Sequence, residues 1–345
     1  MTFSISSNIM RIHFLHFGKS LKRFPEKYHH LFFETGSAVP EHYSYVCPLC
    51  ITNSFMISKE GLHFNNDFSL DHFPPESSGG KQKILVCKKC NNEAGYLYDY
   101  ILKEKLDHVS FNKKIPFSEI LAKSEITDVR GWYHTAITIR EDGETEISFK
   151  PNPKKVLPPL DNWLERSKLS FDWKANLTIE IPDEKKVSKA LLKAAYLYCF
   201  LNFGYEFIYS ANGELFRKVI NGEVEYPIRI PTFWLDDNIT ISNGSTMPIG
   251  LCFITNPIKF RSLAVNLSLK LKTTGYQCTV TILIPNPTDM GIPDLIKVQN
   301  EIENNPGENI SFVFLKNYLQ ENIMDAYSQT WTDLLTEYPK PINSY

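Results

Sequence analysis

Four cysteines fall in two pairs of identical spacing, Cys47-Pro-Leu-Cys50 and Cys87-Lys-Lys-Cys90, with 36 residues between the pairs. A CxxC turn aims two thiolates at one point, and two such turns complete a tetrahedral sulfur site of the kind that holds Zn²⁺. A structural zinc on Cys47, Cys50, Cys87 and Cys90 is therefore expected. The rival readings are weaker. Disulfides suit small secreted chains, whereas this chain has 345 residues and starts without a basic stretch leading into an apolar one. Incidental burial would not repeat the spacing. Cys199, Cys252 and Cys278 lie in apolar runs and are expected to be small buried hydrophobes. Eight of the nine histidines also precede residue 109, so ligand and proton-transfer chemistry is concentrated in the first third.

Between the cysteine pairs the chain reads Asp71-His72-Phe-Pro-Pro, then Ser-Ser-Gly79-Gly80, then Ile-Leu-Val86 before Cys87, and Asn91-Asn92 follow Cys90. A neutral histidine near pH 7 can take a proton from water. An aspartate and an asparagine are hard oxygen ligands suited to Mg²⁺ or Mn²⁺. Positioning them requires a short strand over Phe68 to Phe73, a turn at Gly79-Gly80, and a second strand over Ile84 to Val86. In an ideal strand Asp71 and His72 face opposite sides; the Pro74-Pro75 pair is where the chain can depart from that geometry. Asn91 or Asn92 suits a helix N-cap. Residues 93–106 read as the helix, with Ala94, Leu97, Ile101 and Lys105 on one side and Gly95 weakening the first turn.

The segment LDHFPPESSGG…ILVCKKCNNEAG resembles the HNH endonuclease motif in its four-cysteine zinc version, over residues 47–107. The resemblance implies a ββα-metal unit that holds one divalent ion against a scissile phosphate. It places Asp71 on the metal-binding acid, His72 on the general base and Asn91 on the second metal ligand, with Asn92 as the rival ligand. Gln82 stands where many members carry a loop-bracing asparagine. His63 reads as a supporting phosphate contact or an exposed hairpin histidine. Related nuclease units serve in restriction and anti-phage defence, so that role is implied as well.

The net charge of −2 gives no global basic field. Residues 1–125 hold 15 Lys and Arg against 13 Asp and Glu. Lys81, Lys83, Lys88 and Lys89 surround the second cysteine pair, with Lys103, Lys105, Lys113 and Lys114 following. They read as phosphate contacts or as scattered solvated lysines.

Downstream, strands are expected at Trp132 to Arg140, Glu144 to Phe149, Ala175 to Ile181, Ile249 to Thr255, Phe260 to Leu271, Cys278 to Ile284 and Ile310 to Leu315. Pro151 to Pro159 reads as a linker, and Pro293 to Asn304 as a helix. Glu184 to Phe203 reads as a buried core helix ended by Gly204, with Lys189 and Lys193 forming a solvated edge.

The whole is expected to be α+β: an N-terminal HNH nuclease unit with structural zinc over residues 1–125, then a mixed α+β region over 126–345 that positions substrate or regulates. The expected function is metal-dependent hydrolysis of nucleic acid, with DNA the favoured substrate, Zn²⁺ structural and Mg²⁺ or Mn²⁺ catalytic. An activating ligand or protein partner would act through residues 126–345. No membrane-spanning run is evident, and a cytoplasmic location is expected. The alternative is a zinc-knuckle module that binds nucleic acid or protein without catalysis.

Overall fold

The computed structural model describes residues 44–52, 54–56, 67–126, 132–150, 174–225, 235–236, 249–256, 262–285, 292–304 and 311–314. It is a mixed α+β arrangement whose strand pairings are all antiparallel among the described residues. Strands β1 (Ser44–Val46) and β2 (Ser54–Met56) flank the first cysteine turn. Strands β3 (Phe68–Phe73) and β4 (Gln82–Cys87) pair in a register that sets Phe68 opposite Cys87 and Phe73 opposite Gln82. β4 runs directly into α1 (Lys88–Ala94), a π-helical segment (Gly95–Asp99) and α2 (Tyr100–Asn112).

This helix departs from the sequence expectation in two ways. It begins at Lys88, because the Cys87 sulfur accepts the Cys90 N–H and so fills the capping role that Asn91 or Asn92 was expected to take. It also changes phase. The wider turn of the π segment that opens at Gly95 buries Tyr98 and leaves Leu97, expected on the inner side, 49% exposed.

Strands β5 (Glu119–Ile126), β6 (Trp132–Ile139), β7 (Thr145–Lys150) and β8 (Ala175–Ile179) form one sheet in the order β7-β6-β5-β8. Ile120, Ala122 and Ile137 make its small core, against Phe111 of α2. The linker read at Pro151 to Pro159 lies outside the described residues.

Helix α3 (Glu184–Phe203) is capped by Asp183, whose carboxylate accepts the N–H groups of Lys185 and Lys186, and it stops at Gly204, φ +59°. Two short helices, α4 (Tyr205–Ile208) and α5 (Ala211–Ile220), fold back on it. The second sheet contains β9 (Leu235–Asp236), β10 (Gly250–Asn256), β11 (Leu263–Lys270), β12 (Gln277–Ile284) and β13 (Ser311–Phe314) in the order β13-β10-β11-β12-β9. Helix α6 (Ile292–Asn304) precedes β13. Cys199, Cys252 and Cys278 are buried, as their apolar runs imply.

The apolar length of α3 explains its place. It packs on β3, the π segment and α2, and also on β10, β11 and β12. One apolar cluster consequently runs from Tyr45 through α3 to Ile284. Polar clamps fix the cysteine turns onto this core. The Tyr205 hydroxyl donates to the Val46 carbonyl at 2.5 Å and accepts the Val46 N–H at 2.8 Å. Tyr196 donates to the Pro48 carbonyl at 2.7 Å, and Tyr45 donates to the Leu85 carbonyl at 2.6 Å. Among the described residues, no helix is long and apolar enough to cross a membrane.

The loop between β3 and β4 closes through a 3-10 turn at Glu76–Ser78 and the two glycines. Gly79 has φ +85°. At Gly80 a Cβ would lie 1.6 Å from the Pro74 carbonyl oxygen, so no side chain fits without moving the loop. Gly80→Ala is expected to destabilise the protein by about 1–3 kcal/mol, the usual cost of forcing extra atoms into a packed site. Urea unfolding of the variant beside the wild type measures it.

Candidate metal centre and adjoining cavity

The four paired cysteines converge. Their sulfurs all lie within 4.8 Å of one another, with Cys47 and Cys87 buried and Cys50 and Cys90 half-buried. The Cys50 and Cys87 sulfurs are 3.9 Å apart. That matches the roughly 3.8 Å edge of a tetrahedron with metal–sulfur bonds of about 2.3 Å. The Cys87 N–H points to the Cys47 sulfur at 3.4 Å, and the Cys90 N–H to the Cys87 sulfur at 3.5 Å, contacts that favour sulfur carrying negative charge. Burial pushes the Cys47 thiol well up, while hydrogen bonds from the thiols of Cys47, Cys87 and Cys90 hold Cys50 far below the ordinary thiol range. Four sulfurs this close cannot all ionise without a cation among them. The cluster is positioned to hold a metal ion, and its donor set fits zinc.

Beside this cluster, the end of β3, the 3-10 turn and the start of the helix form an open cavity of about 280 Å³. Leu70, Asp71, His72, Pro75, Glu76 and Ser77 line one side, and Asn91, Gly95, Asp99 and Tyr100 the other. Asp71 and His72, which an ideal strand would separate, border the same space. Asn91 borders it too, whereas Asn92 is exposed and outside the lining. The Asn91 amide nitrogen donates to the Ser69 hydroxyl at 3.0 Å, which leaves its carbonyl oxygen as the atom for a cation. His72 is half-buried, and burial together with the nearby Lys83 and Lys272 lowers its pKa against an opposing pull from Glu76. His63 lies outside the described residues.

Lys193 corrects the sequence reading. Expected on a solvated edge of α3, it is 1% exposed. Its ammonium lies 2.7 Å from Asp71 Oδ2 and 2.6 Å from Asp99 Oδ2. The Asp99 contact is a hydrogen bond, whereas the Asp71 contact is close but out of line for one. The physical reason is charge pairing: the two carboxylates, 4% and 7% exposed, need a counter-charge inside the core. Burial works against the Lys193 charge, but the carboxylates outweigh it and raise its pKa. Burial likewise pushes Asp71 up to about 6 although Lys193 pulls the other way. Two carboxylates around one ammonium leave one surplus negative charge at the cavity wall when both are ionised.

Lys81, Lys83, Lys88 and Lys89 are all exposed; Lys83 stands opposite His72 in the β3–β4 register, and Lys88 and Lys89 lie between Cys87 and Cys90. Lys89 lies 3.9 Å from Glu93. Of the following lysines, Lys103 pairs with Asp107 and Lys105 with Glu184, while Lys113 stands over the Tyr276 ring. Sequence reasoning missed Asp99, Lys193, Ser69 and Tyr100. Lys193 alone had a signal: a lysine inside an otherwise apolar helical run is a sign of a buried counter-charge.

Two outcomes test this arrangement. Purified protein is expected to carry a single zinc ion per chain by elemental analysis, and Cys87→Ser to lose it together with thermal stability. Lys193→Met, which strands two buried carboxylates, is expected to cost about 3–5 kcal/mol of unfolding free energy in urea.

No family model matches the chain, and neither does any curated protein or solved structure.

Proposed function

We propose that the protein is a metal-dependent HNH endonuclease with a structural zinc, hydrolysing phosphodiester bonds of nucleic acid, with DNA the favoured substrate. One observation carries the reading: Asp71, His72 and Asn91 line one cavity beside a four-sulfur cluster. The resemblance of the same residues to the HNH motif supports it, and it implies restriction or anti-phage defence as the setting.

In this reading the cysteine cluster holds Zn²⁺ and fixes where β4 ends and α1 begins. His72, neutral at pH 7, takes a proton from water on an imidazole nitrogen. The water oxygen attacks phosphorus as the bond to the departing sugar oxygen breaks. Asp71 and Asn91 supply oxygen ligands for one Mg²⁺ or Mn²⁺. Such an ion, when bound, neutralises charge on the phosphate and the leaving oxygen. Exposed Lys81, Lys83, Lys88 and Lys89 attract the flanking phosphates, which makes binding salt-dependent. The surplus negative charge beside Lys193 supports a cation in the cavity, since a buried site with unbalanced charge favours a counter-ion.

A second reading, a zinc-knuckle module that binds nucleic acid or protein without catalysis, is favoured by the engagement of Asp71 with Lys193. Incubation with supercoiled plasmid separates the two. The nuclease is expected to nick or linearise plasmid with Mg²⁺ or Mn²⁺ and not with EDTA, and His72→Ala to slow cleavage about 10²–10⁴-fold. Cleavage unchanged in His72→Ala contradicts the assignment of the base. A base must be unprotonated to act, and the His72 pKa lies below the ordinary histidine value of about 6.5. Activity is therefore expected to rise with pH through a midpoint below that value. Lys83→Ala removes a positive neighbour and moves the midpoint upward.

A further inference from the structure

We propose that Asp99 is a third oxygen ligand of the divalent ion in the cavity, with Lys193 holding its other oxygen from behind. The proposal rests on the nuclease reading above, which supplies the ion, and extends it to a residue that the motif does not include.

Four observations converge on Asp99. It lines the same cavity as Asp71 and Asn91. It is 7% exposed, so its carboxylate is removed from water. Its Oδ2 accepts from Lys193, while its Oδ1 is buried with no hydrogen-bond partner. Leaving a buried carboxylate oxygen unsatisfied carries a full desolvation penalty, and native structures reserve such atoms for ions or water. Finally, Asp99 closes the π segment that interrupts the helix after α1. Single π turns inside helices recur at functional sites, where they re-aim a side chain. Here the altered phase turns Asp99 inward together with Tyr98.

The chemistry is that of a hard-cation site. Two carboxylates and one carboxamide match the oxygen preference of Mg²⁺ and Mn²⁺, and the remaining coordination positions stay available to water and phosphate oxygens. Lys193 has a distinct part. By taking Asp71 Oδ2 and Asp99 Oδ2 it draws β3 and the π segment together and cancels one of their two charges. The pair is thereby kept from mutual repulsion before an ion arrives.

The test is Mn²⁺ alone, titrated into zinc-loaded protein by calorimetry and by electron paramagnetic resonance of free Mn²⁺, with melting temperature and zinc content checked for every variant. Asp99→Asn is expected to weaken Mn²⁺ binding by about 10- to 100-fold, at least the loss seen when residues supporting a metal site are removed. Asp99→Asn/Lys193→Gln keeps the cluster's net charge and removes Lys193's need for a partner. It is expected to remain at least about tenfold weaker than wild type, as loss of a ligand requires. Recovery of wild-type affinity in the double variant would overturn the proposal, because Asp99 would then serve only to pair Lys193. Binding weakened by Asp71→Asn but unchanged by Asp99→Asn would overturn it while leaving the nuclease reading intact. Absence of Mn²⁺ binding in the wild type would overturn both.

Discussion

A single buried ammonium organises the site. Lys193 comes from the middle of α3, the helix that packs against both the cysteine-clamped hairpin and the five-stranded sheet. It meets Asp71 from β3 and Asp99 from the π segment. Two carboxylates this close to each other repel strongly in a medium of low dielectric. Without the ammonium, the hairpin and the helix that follow each other in the chain would be pushed apart where the cavity requires them to meet. The desolvation of three charged groups is costly. That cost is offset only while β3, the π segment and α3 keep their mutual positions, so the bridge couples the cavity walls to the core.

The cysteine cluster performs the complementary task at the other end of the hairpin. Cys87 closes β4 and caps α1 with the same sulfur that faces Cys50. The first cysteine turn is held to the core by Tyr196 of α3 and Tyr205 of α4 through the backbone of Val46 and Pro48. The α3–α4 region therefore reaches both the sulfur cluster and the carboxylate pair. Asp71 and Asp99 are part of the cavity wall, with His72 half-buried on one side and Asn91, oriented by Ser69 and next in sequence to Cys90, on the other. Rigid support of this kind is what a site needs if a proton acceptor and a set of oxygen ligands are to act on one phosphate.

The sequence disclosed what is local. Ligand spacing identified the cysteine cluster, since two CxxC turns carry their geometry within four residues each. Strand β3 was legible from its alternation, and helix α3 from its apolar run and the Gly204 stop. What escaped notice depends on partners distant in the chain or on a change of helical phase. Lys193 and Asp99 are 94 residues apart, and neither residue's neighbours hint at the other. The π segment breaks the period on which the helical reading relied, so Leu97 was assigned the place that Tyr98 takes. The start of α1 was displaced because a cysteine sulfur caps it, a role that composition assigns to asparagine. Strand β5 was not anticipated, since Ala122 and Ser124 on its buried face offer little apolar contrast to the polar face.

The most direct test is anomalous X-ray scattering from crystals of the zinc-loaded protein soaked in Mn²⁺, with data at the zinc and manganese absorption edges. A zinc peak is expected among Cys47, Cys50, Cys87 and Cys90, and a separate manganese peak in the cavity against the oxygens of Asp71, Asn91 and Asp99. A zinc peak with no manganese in the cavity, and Lys193 alone neutralising the two carboxylates, would contradict this expectation.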